Sequence, residues 1–223
     1  MLISGEGLEL RRYQLPDGRW LGTPLTVPVS FSAGELHEAG GRLLLVRVPR
    51  EPGADLAITP LTATGAASQA EVPMAGLKPR LCTDRCARPF MLGRDTELLV
   101  ATGTARGLLL TSISPSSLQV TRSVELQTPM GASSYHEILP TARGLLLTLS
   151  ASRTDTAVPD VFAGLLDESG ARWRQDWRRL SPPQGRPDQF PRALETGPGA
   201  IVLWAAGDLD ERTQAISRCL PLP

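Results

Sequence analysis

Thr104-Ala105-Arg106-Gly107-Leu108-Leu109-Leu110-Thr111 returns, residue for residue, as Thr141-Ala142-Arg143-Gly144-Leu145-Leu146-Leu147-Thr148. Looser copies are Gly41-Arg42-Leu43-Leu44-Leu45-Val46 and Gly199-Ala200-Ile201-Val202-Leu203-Trp204. A polar turn followed by a short apolar run reads as the entry to a buried strand. Its recurrence reads as a repeat array.

Around these runs the chain carries 21 Gly and 20 Pro without a period, which favours many short elements over long helices. Residues 8–15 read as a strand, Pro16-Asp17-Gly18 as a turn, and residues 19–27 as the returning strand. A full unit of four strands follows at 34–39, 43–48, 55–61 and 66–72, the last one weak. The next falls at 89–92, 97–102, 107–112 and 118–126, and a third at 135–139, 144–150, 161–166 and 171–177. A last, partial unit has strands at 190–194, 200–205 and 213–219. The second strands begin near Leu43, Leu98, Leu145 and Ile201, roughly fifty residues apart. In this register the two exact copies fall on different strands of their units, so the duplicate is not the period.

Four-stranded units of this length with an apolar second strand imply an all-β fold, a β-propeller of four-stranded blades. Leu165-Leu166-Asp167-Glu168-Ser169-Gly170-Ala171-Arg172-Trp173 resembles the hairpin of quinoprotein-type (PQQ-like) propeller repeats, and Leu15-Pro16-Asp17-Gly18-Arg19-Trp20 is a shortened echo. The resemblance implies blade architecture. It does not carry over a quinone, and no cofactor is expected. One propeller-like domain over 1–223 is expected, with a partial blade at 1–30, blades at 31–78, 79–130 and 131–185, and a partial blade at 186–223. About four blades result, either as a small closed ring or as a truncated part of a larger propeller.

The formal net charge is zero, so no long-range field favours nucleic acid or an anionic membrane. No run reaches the ~18 apolar residues of a membrane-spanning helix. Met1-Leu2-Ile3-Ser4-Gly5-Glu6 lacks the basic region and apolar core of a signal peptide. If Met1 is not the true start, an extracytoplasmic location is favoured. Cys82 and Cys86 lie four apart and Cys219 near the end. The first two read as a local disulfide or as two free thiols, and more weakly as a zinc pair.

Long connections cluster on one face of the expected blades, at 73–88, 127–134 and 178–189 between units and at 49–54, 151–160 and 206–212 within them. Long loops on a rigid scaffold concentrate binding residues. Arg80, Asp84, Arg85, Arg88, Arg153, Asp155, Asp208, Asp210 and Glu211 lie there, as solvating charges or as contacts. Both histidines fall on first strands, which line a propeller's channel, and both precede glutamate: His37-Glu38 and His136-Glu137. Pro191-Arg192 holds the matching place in the last unit. The two imidazoles and two carboxylates could bind a metal at the channel mouth or act as acid and base. Strand neighbours point to opposite faces, so one member of each pair faces the channel. The other role is structural, in bonds that tie blades together.

No phosphate loop, zinc-protease helix or nucleophile elbow is present. The leading expectation is a non-enzymatic binding or scaffold module that uses the long-loop face for a protein or carbohydrate ligand. One alternative is a carbohydrate-active hydrolase or lyase with His and carboxylate groups at the channel mouth. Another is a propeller fragment without a ligand of its own.

Overall fold

The computed structural model describes residues 2–4, 7–10, 13–14, 19–20, 25–27, 33–48, 53–62, 66–78, 89–104, 106–129, 133–152, 158–182, 187–207 and 213–223. Among them the regular structure is all strand. The chain divides into two compact units. One comprises Met1–Lys78, Gly93–Leu98 and Ser114–Gln119; the other comprises Pro79–Leu92, Leu99–Ile113 and Val120–Pro223.

At the N-terminus β1 (Leu2–Ser4), β2 (Gly7–Leu10) and β5 (Leu25–Val27) form one sheet, and β3 (Tyr13–Gln14) pairs with β4 (Arg19–Trp20). Leu8 stands opposite Val27 and Tyr13 opposite Trp20, so the described residues of the two expected strands pair with each other, while the expected turn at Pro16-Asp17-Gly18 lies outside the described residues. The pairing is broken into two short ladders, and β1 joins it as a strand the sequence pattern did not mark. Then come β6 (Ala33–Ala39), β7 (Arg42–Val48), β8 (Ala57–Leu61) and β9 (Val72–Pro73), an antiparallel sheet in that order. The fourth strand is only two residues long, where residues 66–72 were expected; Leu61 and Ala67 make an isolated bridge instead. Polar residues and Pro73 give this stretch little to hold a ladder.

The next sheet is β10 (Phe90–Gly93), β11 (Leu98–Gly103), β12 (Gly107–Ile113) and β13 (Val120–Gln127). After it come β14 (Ser133–Thr141), β15 (Gly144–Ala151), β16 (Asp160–Leu166) and β17 (Trp173–Arg179). The last is three-stranded: β18 (Asp188–Thr196), β19 (Gly199–Ala206) and β20 (Gln214–Pro221). The duplicated octapeptide therefore starts the third strand of one sheet and the second strand of the next. What it encodes is a turn. Thr104 Oγ1 accepts the Arg106 N–H at 3.2 Å, and Thr141 Oγ1 accepts the Arg143 N–H at 3.1 Å. The glycine that follows is required by close approach: a Cβ on Gly107 would stand 2.1 Å from Leu126 O, and one on Gly144 2.0 Å from Leu166 O.

Alternation builds two cores from one sheet. Successive residues of a strand point to opposite faces. One face of β14–β17 presents Ile138, Leu145, Leu147, Leu149, Phe162 and Leu166, packed with Leu99, Leu108, Leu110 and Leu126. The other presents Leu146, Val161, Ala163 and Leu165, packed with Ala200, Val202, Trp204 and Leu220. This is why Gly144–Ala151 reads as an unbroken buried run. Burying each such leucine or valine contributes about 1.5–3 kcal/mol.

The hairpin from β16 to β17 is held by Asp167. Its Oδ1 accepts the Ser169 hydroxyl at 2.8 Å and the Ala171 N–H at 3.0 Å, and Gly170 takes a φ of +71°. Trp173 and Trp177 then meet edge to face, ring centroids 5.0 Å apart, and Trp177 Nε1 donates to Gln127 O at 2.9 Å.

In the first unit the core is Leu44, Leu45, Val46, Leu56, Ile58 and Leu98. Arg42 Nη1 donates to Pro115 O at 2.6 Å and Ser116 O at 2.9 Å, and the Gly40 N–H donates to Arg94 O at 3.0 Å.

Candidate functional site

His37 lies on β6 opposite Leu44, and its Nε2 donates to Glu35 Oε2 at 3.2 Å. Glu38 is exposed, opposite Leu43. His136 and Glu137 lie on β14 in the other unit. His136 is fully buried, and its ring nitrogen stands 3.0 Å from Ala101 O on β11. A carbonyl only accepts, so Nε2 carries the proton and Nδ1 does not. Nδ1 has no hydrogen-bond partner among the described residues. Burial drives the imidazole pKa down to about 4 against the opposing effect of the Ala101 bond. The ring is therefore neutral near pH 7 and ties two sheets together.

Glu137 points to the opposite face. Its Oε1 accepts from Arg192 Nη1 at 3.1 Å and its Oε2 from the Ala193 N–H at 3.3 Å. Burial pushes its carboxyl up, and the Arg192 charge works against that. The fold thus brings Glu137 and Arg192 together across β14 and β18, as it does Glu195 Oε1 and the Ala142 N–H at 2.8 Å.

The richest polar network was not marked by sequence motifs. It sits where β15, β17 and β19 end and β16 and β18 begin. Asp160 Oδ1 accepts from Arg179 Nη2 at 2.6 Å and from the Ser181 hydroxyl at 3.1 Å. Ser181 Oγ accepts the Val161 N–H at 3.1 Å. Asp188 is buried; its Oδ1 accepts from Trp204 Nε1 at 3.0 Å, and its backbone O accepts the Ser150 hydroxyl at 2.8 Å. Burial pushes the Asp188 carboxyl up from the ordinary aspartate range, the hydrogen bond from Trp204 opposes this, and the Asp160 charge adds to it. Two carboxylates, a hydroxyl between them and a guanidinium at the edge can move a proton and bind a polar ligand.

A sequence signal for this network did exist. Asp160 and Asp188 are each preceded by proline, in Val158-Pro159-Asp160-Val161 and Arg186-Pro187-Asp188-Gln189. Proline suits the first position of a strand because it has no N–H to leave unpaired. The two segments also touch: the Asp188 N–H donates to Pro159 O at 3.0 Å.

Among the described residues no group of three or more His, Cys, Asp and Glu is placed to hold a metal ion. Cys219 is a free, exposed thiol. Cys82 and Cys86 lie outside the described residues, as do Arg80, Asp84, Arg85, Arg88, Arg153, Asp155, Asp208, Asp210 and Glu211. No described helix is long and apolar enough to cross a membrane.

No protein-family model and no curated protein matches the chain. Solved structures do. The Kuenenia stuttgartiensis hydrazine synthase matches with a TM-score of 0.54 at 13% identity, over 96% of this chain and 60% of that one. The GH43B of a Bacteroides ovatus xyloglucan PUL matches with a TM-score of 0.52 at 10% identity, over 87% of this chain and 41% of that one. A neuraminidase-like protein from A/bat/Guatemala matches with a TM-score of 0.50 at 8% identity, over 85% of this chain and 56% of that one. The chain thus spans between 41% and 60% of the length of these three. At such identity the likeness is one of fold, and that fold is the all-β β-propeller.

Proposed function

We propose that the protein acts on carbohydrate as a hydrolase or lyase, through the sheet ends where Asp160, Arg179, Ser181 and Asp188 meet. The observation that carries this is Asp188, a buried carboxyl pushed upward beside a second carboxylate. Cleavage of a glycosidic bond calls for one carboxyl that holds a proton and a second that is ionised nearby. Asp188 suits the first role, and Asp160, bonded to Arg179 and Ser181, is the neighbouring carboxyl available for the second. The fold likeness to a GH43B of a xyloglucan PUL supports the substrate class.

The test is release of reducing ends or unsaturated products from a panel of neutral and acidic polysaccharides. Asp188→Asn and Asp160→Asn should each lower turnover by about 10²-fold or more, the usual scale for a lost acid or base. A parent protein inert on the whole panel removes the enzymatic reading.

A second reading is a binding module without chemistry. It is supported by how fully the candidate groups are engaged inside the protein: His136 by Ala101, Glu137 by Arg192 and Ala193, Asp188 by Trp204. Glycan binding by the parent without turnover, weakened by Arg179→Ala, would decide for it. The tight turn at Asp167 supports grouping that hairpin with quinoprotein-type repeats, in architecture only.

A further inference from the structure

β18 does not pair with β19 as a regular strand throughout. Gln189 stands opposite Ala205 and Arg192 opposite Leu203, so two residues, Phe190 and Pro191, stand against Trp204 alone. This is a β-bulge, a feature that re-aims a side chain. Phe190 takes a φ of +54°. A bulky L residue rarely adopts that conformation, and the proline that follows favours extended backbone instead. The strained residue does not fill a core with its ring: Phe190 is 44% exposed, while Pro191 beside it is buried. Two residues on, and at most ~7 Å away along the backbone, Arg192 carries a side chain that is 60% exposed and bonded to Glu137 of β14. Glu137 is 16% exposed, and its two oxygens take one hydrogen bond each, from Arg192 and from the Ala193 N–H. A carboxylate has about four acceptor sites, so Glu137 retains the capacity to accept from a ligand.

We propose that Phe190, Arg192 and Glu137 form a binding subsite for one neutral sugar ring. Such a ring has an apolar C–H face and a rim of hydroxyls, and each half has its counterpart here. The C–H face lies on the exposed Phe190 ring, as an apolar body on an aromatic surface. One hydroxyl of the rim donates to Glu137 and its neighbour accepts from Arg192, the few placed polar groups that orient a ligand on an apolar wall. Charge selects the class of sugar. Arg192 and Glu137 neutralise each other, so the subsite offers no net charge to a carboxylate, sulfate or phosphate group. A donor beside an acceptor suits two adjacent hydroxyls instead. The bulge accounts for the geometry, because it turns out of the core a ring that regular pairing would place by alternation. The subsite rests on the carbohydrate reading proposed above but not on turnover. Asp188 lies two residues before Phe190 on β18, which puts the subsite beside the proposed acid.

NMR titration of the full chain tests this, with the methyl glycosides of xylose, arabinose and galactose as neutral probes and that of galacturonic acid as the charged one. The expected result is saturable binding of at least one neutral probe, Overhauser contacts between its C–H protons and the Phe190 ring, and weaker binding of the acid. Asparagine suits a φ of +54° better than phenylalanine does, so Phe190→Asn should melt no lower than the parent yet bind the sugar about tenfold more weakly. A ring with a structural role would lower the melting temperature instead. Should that variant fail to fold, Arg192→Gln should still weaken neutral-sugar binding several-fold, and the Overhauser contacts are read in the parent itself. A parent that binds no neutral probe, that prefers the acid, or whose contacts avoid Phe190 would overturn the proposal, as would either variant binding as the parent does. Turnover is read separately. A parent that binds through Phe190 and cleaves nothing removes the hydrolase reading and leaves the subsite. A parent that cleaves glycan with the same KM as Phe190→Asn removes the subsite and leaves the hydrolase.

Discussion

His136 gives the sharpest prediction, because one buried group changes stability with pH in a known direction. In the folded chain its pKa is about 4; in the unfolded chain it returns to the ordinary value of 6.5. Between these values the unfolded chain binds a proton that the folded chain refuses. Stability rises with pH wherever the unfolded state binds more protons, so it falls as pH drops through this window. The shift corresponds to about 3 kcal/mol over the whole window, of which about 2 kcal/mol is lost between pH 7 and 5. Glu137 and Asp188 act in the opposite sense, because their raised values let the folded chain take protons first. The comparison is therefore with His136→Gln, which keeps a neutral N–H donor for Ala101 O and leaves both carboxyls in place. Urea unfolding at pH 7 and pH 5 should show the parent losing about 2 kcal/mol more than the variant. The His136 ring protons should also show no titration by NMR until the pH nears the folded value. Equal losses in parent and variant, or a His136 that titrates near its ordinary value, would refute the reasoning.

Three further outcomes follow from single contacts. Trp204→Phe removes the donor to Asp188 Oδ1 inside the protein and should cost about 1–3 kcal/mol in urea unfolding, while moving the Asp188 carboxyl further up. Gly164→Ala would place a Cβ 2.7 Å from the Trp173 ring and 3.1 Å from that of Trp177. It should cost about 1–3 kcal/mol and alter the near-ultraviolet circular dichroism of the pair. Asp167→Ala should cost about 1 kcal/mol at neutral pH, read as a lower urea midpoint. The little burial Asp167 has raises its carboxyl, but the bonds from Ser169, Ala171 and Arg172 outweigh that and hold it below the ordinary range. Its contribution is thus present at neutral pH and fades as pH falls through the folded value.

The strands that sequence marked best are those whose apolar runs need no partner to be recognised. Leu43–Val48, Gly144–Ser150 and Val161–Leu166 appear as β7, β15 and β16 within a residue or two. Amphipathic outer strands were visible where aromatic residues anchor them, as in Trp173–Arg179. The fourth strand of the β6–β9 sheet was overdrawn, since Ala66–Val72 has too few β-branched residues to hold a ladder. The N-terminal hairpin was drawn as one ladder because period alone does not show where pairing partners change. The positions of His136, Glu137 and Arg192 were legible as equivalent first-strand places. What they bond to was not, because Ala101 lies 35 residues from His136 and the reach of Arg192 depends on how β18 lies beside β14. The Asp160 and Asp188 network joins residues from five strands or their ends. Only the repeated Pro-Asp pair hinted at it.

The same alternation that builds the cores also decides where a ligand can reach. A polar residue in the middle of β14 or β15 faces another sheet on either side, so its atoms are used internally or left without a partner. His136 bonds Ala101, and Thr148 Oγ1 has no partner among the described residues. Such groups fix how sheets sit on one another and carry the pH dependence argued above. At the sheet ends the geometry changes. Pairing stops, the chain enters its connections, and side chains on neighbouring strands converge without a covering sheet among the described residues. The Arg179 side chain is 40% exposed there and that of Asp160 14%, while Asp188 behind them stays buried. The proposed acid–base role rests on that gradient, from a solvent-facing guanidinium through one carboxylate to a buried carboxyl. Chemistry at this protein's sheet ends would therefore coexist with, and be held rigid by, the mid-strand polar ties.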